Sequence, residues 1–138
     1  MMGYNTQPII PIYFETGIFT PKDGTNYYIG PPINSLPAEI EGIRASYSCT
    51  SCVVRAAAVS YSAANDPSHE DLTFTILVNG ITEYALLVNA AAENYRTYIR
   101  GLNIPLKEGD FIEIKLVTPA FFNVPIGMGI QIVLFAGL

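Results

Sequence analysis

Short apolar runs bounded by Gly, Pro, Asn or Asp recur along the whole 138-residue chain, and most of them are rich in β-branched or aromatic residues. Such runs are typical of β-strands, whose ends are marked by these turn-forming residues. The ten prolines are spread from residue 8 to residue 125, and no long stretch between them has the roughly 3.6-residue apolar period of a helix. We therefore predict an all-β, antiparallel jelly-roll β-sandwich of about eight strands, and we exclude a parallel sheet built from βαβ units.

One hairpin is especially clear, because residues 72–78 alternate in hydropathy and are followed by Asn79-Gly80. An Asn-Gly pair accepts positive φ at both positions, which favours a tight type I′ turn. A two-residue loop without any irregularity would put Glu83 on the core face, where an unpaired carboxylate is costly. We therefore predict a β-bulge after the turn, which would turn three alternate residues inward: Tyr84, Leu86 and Val88.

The same signals predict further strands at residues 9–20, 27–30, 43–48, 53–62, 95–104, 111–117 and 130–135. In the 111–117 strand the apolar residues alternate with Glu113 and Lys115, so these two side chains are expected to face outward. Residues 116–138 carry no charge and are long enough to span a bilayer, but prolines, glycines and polar residues interrupt them. We predict a central core strand at 130–135 instead, and no membrane partner.

The charge balance excludes a further class of function. The formal net charge is −5 and the pI is about 4.6, whereas a protein that binds nucleic-acid phosphates has a basic stripe. Charged residues make up only 14% of the chain, against about 25% in an average soluble domain, so an apolar surface and partner subunits are expected. The first charged residue is Glu15, so the N-terminus lacks the basic region of a secretory signal.

The motifs of the chain do not point to catalysis, a cofactor or a metal. Cys49 and Cys52 form a CxxC with no second cysteine pair, and it lies between predicted strands rather than before the helix of a redox motif. We interpret these cysteines as structural, with a local disulfide as the alternative. Residues 68–71 contain Ser, His, Glu and Asp, but consecutive residues cannot converge as a catalytic triad does. The chain is therefore predicted not to be an enzyme.

Four segments occur in an order that carries a family resemblance: Tyr-Tyr-Ile-Gly-Pro at 27–31, the cysteine turn before a strand with Arg55, the Asn-Gly hairpin, and Leu-Asn-Ile-Pro-Leu at 102–106 leading into Glu-Gly-Asp-Phe-Ile-Glu-Ile-Lys at 108–115. In this order they resemble the jelly-roll domains of bacteriophage and metagenomic virion proteins. More distantly, they resemble tumour-necrosis-factor-like and complement globular-head domains. The resemblance covers residues 25–138, and residues 1–24 before it are interpreted as an N-terminal arm.

The resemblance implies a virion structural protein, namely a trimeric capsid cement or decoration subunit that stabilises a phage head. Its expected partners are further copies of itself, in a homotrimer, and the major capsid protein or other virion proteins. Its expected location is the virion, after assembly in the host cytoplasm. A receptor- or glycan-binding head domain of a phage tail or fibre is the alternative function.

A subunit interface is predicted from the C-terminal strand and the arm. Alternate residues from Ile130 onward are expected to fill the core, which leaves Val133 and Phe135 in need of cover from outside. Tyr13 and Phe14 of the apolar arm are predicted to join this interface. Because aromatic residues are enriched at interfaces, some of the tyrosines on or beside the strands are expected to line a subunit or receptor surface.

Overall fold

A computed structural model describes residues 9–32, 36–65, 70–90 and 94–138, and these form nine β-strands and no helix. Antiparallel pairing joins every strand to its neighbours, which confirms the predicted all-β class. The strands are β1 (Ile9–Glu15), β2 (Asn26–Ile29), β3 (Ser46–Tyr47), β4 (Cys52–Ser62), β5 (Glu70–Val78), β6 (Ile81–Ala90), β7 (Asn94–Leu106), β8 (Phe111–Val117) and β9 (Gly129–Gly137).

Two sheets pack face to face. One has the order β1-β9-β4-β7, and the other has the order β2-β8-β5-β6, with β3 also paired to β8. The partners are nested along the chain, because β5 pairs with β6, β4 with β7, β2 with β8, and β1 with β9. A chain that rolls up in this nested antiparallel order is a jelly roll, so the predicted architecture is confirmed.

The core lies between the sheets and is built from alternate residues of each strand. The largest side chains with less than 2% exposure are Phe14, Ile29, Val54, Leu72, Ile112, Ile114, Leu116, Met128, Ile130, Ile132 and Leu134, together with Glu113 on an outer face. The uncharged C-terminal stretch supplies β9, which lies between β1 and β4 as the predicted central strand. Within the described ranges, no helix has the length and hydropathy needed to cross a membrane.

The Asn-Gly hairpin has the predicted turn and the predicted bulge. Asn79 and Gly80 have φ values of 51° and 78°, as a type I′ turn requires. The register between β5 and β6 shifts after Ile76, whose partner is Tyr84, and Glu83 is left unpaired and exposed. The residues that follow it at alternate positions pack on or in the core, as predicted: Tyr84, Leu86 and Val88.

The N-terminal region departs from the prediction of a separate arm. Residues 9–15 pair with β9 along their whole length as an edge strand, so a boundary at residue 25 does not separate them from the sandwich. Residues 1–8 lie outside the described part of the chain. Phe14 is fully buried in the core, so its assignment to a subunit interface is wrong. Adjacent residues of a strand face opposite sides, and only Tyr13 of this pair can face outward.

The outer faces of the two sheets differ, because among the described residues only that of the β2-β8-β5-β6 sheet has a cover. We call residues 36–45 the cover segment; they connect β2 to β3 along the chain and lie over β8. Its backbone N–H groups at Gly42 and Arg44 donate to the Glu113 carboxylate at 2.9 and 3.3 Å. Burial raises the pKa of the Glu113 carboxyl above its ordinary value, although these hydrogen bonds act in the opposite direction. Glu113 therefore points outward as predicted, yet it is buried beneath the cover segment.

Candidate binding face on the four-stranded sheet

The outer face of the β1-β9-β4-β7 sheet carries three rows of side chains. Each row crosses all four strands because the registers of the three strand pairs are aligned. We call these twelve residues the open face. The polar row is Glu15, Gln131, Ser60 and Arg96; the aromatic row is Tyr13, Val133, Ala58 and Tyr98; the third row is Pro11, Phe135, Ala56 and Arg100.

The aromatic row has a large ring at each side and small residues between them. Tyr13 on β1 is 49% exposed and Tyr98 on β7 is 53% exposed. Neighbouring strands lie about 4.8 Å apart, so the backbones of these tyrosines are separated by about 14 Å. Because side chains stand roughly perpendicular to a sheet, the two rings border a shallow trough whose floor is Ala58 and Val133.

Tyr98 is held between two neighbours on the open face. Its ring centroid lies 6.0 Å from that of Phe135, with the rings tilted by 54°, and the Arg100 Cζ atom lies 5.5 Å from the Tyr98 centroid. Beside them, a depression of about 260 Å³ is bordered by Ile9 and Arg55. The β-bulge of β4 between Val54 and Ala56 places Arg55 at this depression. The ring of Tyr98 is thus both exposed and positioned, as an aromatic contact residue must be.

A polar cavity of about 340 Å³ opens at the opposite end of the open face. The whole polar row lines it, and further polar groups come from the strand ends: Thr16, Ser62 and Asn94. These side chains include donors and acceptors, and Arg96 contributes a positive charge opposite the carboxylate of Glu15. The cavity and the aromatic row are adjacent, so one ligand can contact both.

The open face contains most of the predicted interface residues and several that were missed. Tyr13, Val133 and Phe135 lie together on it, whereas Phe14 is in the core. Arg96 and Arg100 were not identified from the sequence, and Tyr98 was considered only as one of many strand tyrosines. The alternation along β7 places all three on one face, but only the pairing of β7 with β4 brings that face beside β9.

The motifs considered for chemistry lie elsewhere. Cys49 is exposed and Cys52 is buried, and both thiols are free, so this structure contains no local disulfide between them. Ser68 and His69 lie outside the described residues. Glu70 is buried, and its carboxylate accepts hydrogen bonds from the backbone of Phe122 at 2.7 Å and of the next residue. Among residues 9–32, 36–65, 70–90 and 94–138, no group of three or more His, Cys, Asp or Glu could hold a metal ion.

Comparisons with known proteins find similarity only at the level of the fold. No family model matches the chain, and no curated protein matches it. One similar structure is the CBM36-1 domain of a multidomain xylanase from the hindgut metagenome of Trinervitermes trinervoides, with a TM-score of 0.45, 11% identity, and coverage of 91% of this chain and 96% of that one. Another is the Podospora anserina GH26-CBM35 β-(1,4)-mannanase, with a TM-score of 0.46 and 14% identity. The similarity covers 93% of this chain but only 28% of the mannanase chain. Neither similarity carries the bacteriophage or tumour-necrosis-factor-like identity that the sequence resemblance implied.

Proposed function

We propose that this chain is a non-catalytic binding module that holds a glycan on the open face. The observation that carries the proposal is the exposed aromatic row beside the polar row and its cavity. A pyranose ring has an apolar C–H side, which packs on an aromatic ring, and a rim of hydroxyl groups, which need donors and acceptors. Tyr13 and Tyr98 supply the first kind of contact, and Ser60, Arg96 and Gln131 supply the second.

The surroundings of the open face also favour a ligand there. The outer face of the other sheet lies partly beneath the cover segment, whose backbone is bonded to Glu113. The polar cavity of about 340 Å³ is within the range of about 300–1,000 Å³ that is typical of small-ligand sites. A rigid sheet presents its side chains with less loss of conformational freedom than a mobile loop does, so this face is suited to recognition.

The test compares Tyr98→Ala with Tyr47→Ala, after a glycan array has identified a bound sugar polymer. Tyr47 is a matched control because it is 67% exposed and lies on β3 of the other sheet. Calorimetric titration should give wild-type affinity for Tyr47→Ala. Tyr98→Ala should lose about tenfold or more, since one stacked aromatic contact contributes about 1.5 kcal/mol. An array without any bound glycan, or equal affinities of the two variants, would contradict the proposal.

A virion structural subunit is the second candidate function, and one observation favours it. Val133 and Phe135 are only half-buried on the open face, and with Tyr13 they offer an apolar surface to a further copy of the chain. A homotrimer packed through this surface would cover Tyr98 and exclude a glycan. Sedimentation equilibrium separates the two proposals, because the chain mass is 15.0 kDa and a trimer would have three times that mass. Antibody-labelled virions would then test the proposed position on a phage head.

A further inference from the structure

We propose that the ligand of the open face is an anionic glycan, whose sugars carry carboxylate or sulfate groups; this rests on the proposed function. The chain has a net charge of −5, with 12 carboxylates and seven Lys and Arg residues. On and beside the open face, by contrast, the positively charged side chains outnumber the carboxylates. Within the described residues, Arg55, Arg96 and Arg100 lie there, and Glu15 is the carboxylate among them.

These three arginines have no ion-pair partner in the part of the chain that the structure describes. The salt bridge found there joins Lys22 to Glu39, with 2.9 Å between nitrogen and oxygen. Arg55 donates from Nη1 to the side-chain oxygen of Asn103 at 3.3 Å, on the exposed surface. Arg100 lies over the ring of Tyr98. Arg96 lines the polar cavity. With respect to residues 9–32, 36–65, 70–90 and 94–138, their guanidinium groups therefore keep free donors for a ligand.

The spacing of two of them along β7 fits a sugar bound at Tyr98. Arg96 and Arg100 are each two residues from Tyr98 on the same side of the strand, about 7 Å away along the sheet. A sugar ring packed on Tyr98 would have its charged substituent within reach of either guanidinium. The planar guanidinium fork binds carboxylate and similar oxyanions through two parallel hydrogen bonds, which a neutral hydroxyl group cannot accept in the same way.

The experiment measures binding by calorimetric titration with polygalacturonate, dextran sulfate and a neutral β-mannan, at low and high sodium chloride. The variants are Arg96→Gln and Arg100→Gln. Lys107→Gln is the charge-matched control, because Lys107 is exposed in the turn between β7 and β8, away from the open face. A fourth variant, Arg96→Lys, keeps the charge but loses the planar fork.

We expect an anionic polymer to bind more tightly than the neutral mannan, with an affinity that falls as salt rises. Arg96→Gln and Arg100→Gln should each weaken this binding about tenfold or more, since a hydrogen bond to a charged group contributes that much. The affinity of Arg96→Lys should lie between those of the wild type and Arg96→Gln. The affinity of Lys107→Gln should remain within about twofold of the wild type. A preference for polygalacturonate identifies carboxylate as the recognised group, and a preference for dextran sulfate identifies sulfate.

Two results would overturn the inference in different ways. If the neutral mannan binds best and the arginine variants match the wild type while Tyr98→Ala loses affinity, the ligand is a neutral glycan and the proposed function stands. If no glycan polymer binds, the inference and the proposed function both fail. Circular dichroism of each variant shows whether it keeps the β-sandwich, and because two separate arginines are tested, one unfolded variant does not end the comparison.

Discussion

Replacing Glu113 by Ala tests whether its carboxylate fixes the cover segment to β8. Glu113 is 1% exposed, and it accepts hydrogen bonds from the Gly42 N–H at 2.9 and 3.1 Å and from the Arg44 N–H at 3.3 Å. Without the carboxylate these two backbone donors lose their partner. A hydrogen bond to a charged group contributes about 1.5–3 kcal/mol, and the two donors belong to the exposed Gly42 and the half-buried Arg44. The removal of a poorly solvated charge offsets part of this loss, so we expect a net destabilisation of about 2–4 kcal/mol.

Urea unfolding followed by tyrosine fluorescence measures this change, since the chain has nine Tyr and no Trp. For a chain of this length the expected loss corresponds to a fall in Tm of about 6–12 °C. The matched control is Glu83→Ala, at the exposed bulge of β6, which should change stability by less than about 0.5 kcal/mol. If Glu113→Ala is as stable as this control and the Gly42 and Arg44 amides keep their protection from hydrogen exchange, the anchoring role of Glu113 is refuted.

The raised pKa of Glu113 also gives this anchor a pH dependence. Burial raises its pKa above the ordinary value of 4.5, so the carboxyl binds a proton more readily in the folded protein than in the unfolded chain. This contribution to stability is complete below pH 4.5 and is lost as pH rises through the folded-state pKa. Glu113→Gln lacks this titration, so wild-type stability should fall relative to the variant as pH rises above 4.5. A difference that does not change with pH, or that changes with the opposite sign, would contradict the assigned cause.

Three further substitutions test other parts of the structure. Gly30→Ala should destabilise the fold by more than about 3 kcal/mol in urea unfolding, because its Cβ would overlap the backbone carbonyl oxygen of Arg44 in the cover segment. The control is Gly137→Ala, whose Cβ would have no heavy atom within 4 Å, and equal stability of the two variants would refute the close packing of the cover segment on Gly30. The double change Cys49→Ser and Cys52→Ser should retain the fold and ligand binding, and should lower the free energy of unfolding by about 1–3 kcal/mol because only the thiol of Cys52 is buried. Stoichiometric zinc in the purified wild type would contradict a structural role for these cysteines. Phe135→Asp should weaken binding of an anionic polymer, and the variant should sediment with the mass of one chain, 15.0 kDa, as the wild type should. If the wild type is instead a trimer and this change dissociates it, the result supports the virion-subunit proposal.

Local patterns were sufficient to predict the strands and one of their irregularities. The β6 bulge followed from the Asn79-Gly80 turn and from the cost of burying Glu83, and the structure contains it at that place. The central position of β9 followed from an apolar alternation with no charge. Both predictions depend on turn chemistry and on the two-residue period of a strand, which operate between residues close in the chain.

The candidate site depends on contacts that no local pattern specifies. Tyr13 is paired with Val133 at the far end of the chain. Tyr98 joins their row only because β4 lies between β7 and β9 and pairs with both of them. The sequence by itself determined that these residues lie on strands and which neighbours face opposite sides. The tertiary structure decided that Phe14 is in the core, that Glu113 lies beneath a cover, and that the arginines of β7 stand beside an aromatic row. The physical reason is that strand alternation fixes the two faces of each strand, whereas long-range pairing decides which faces become neighbours and which remain open to solvent.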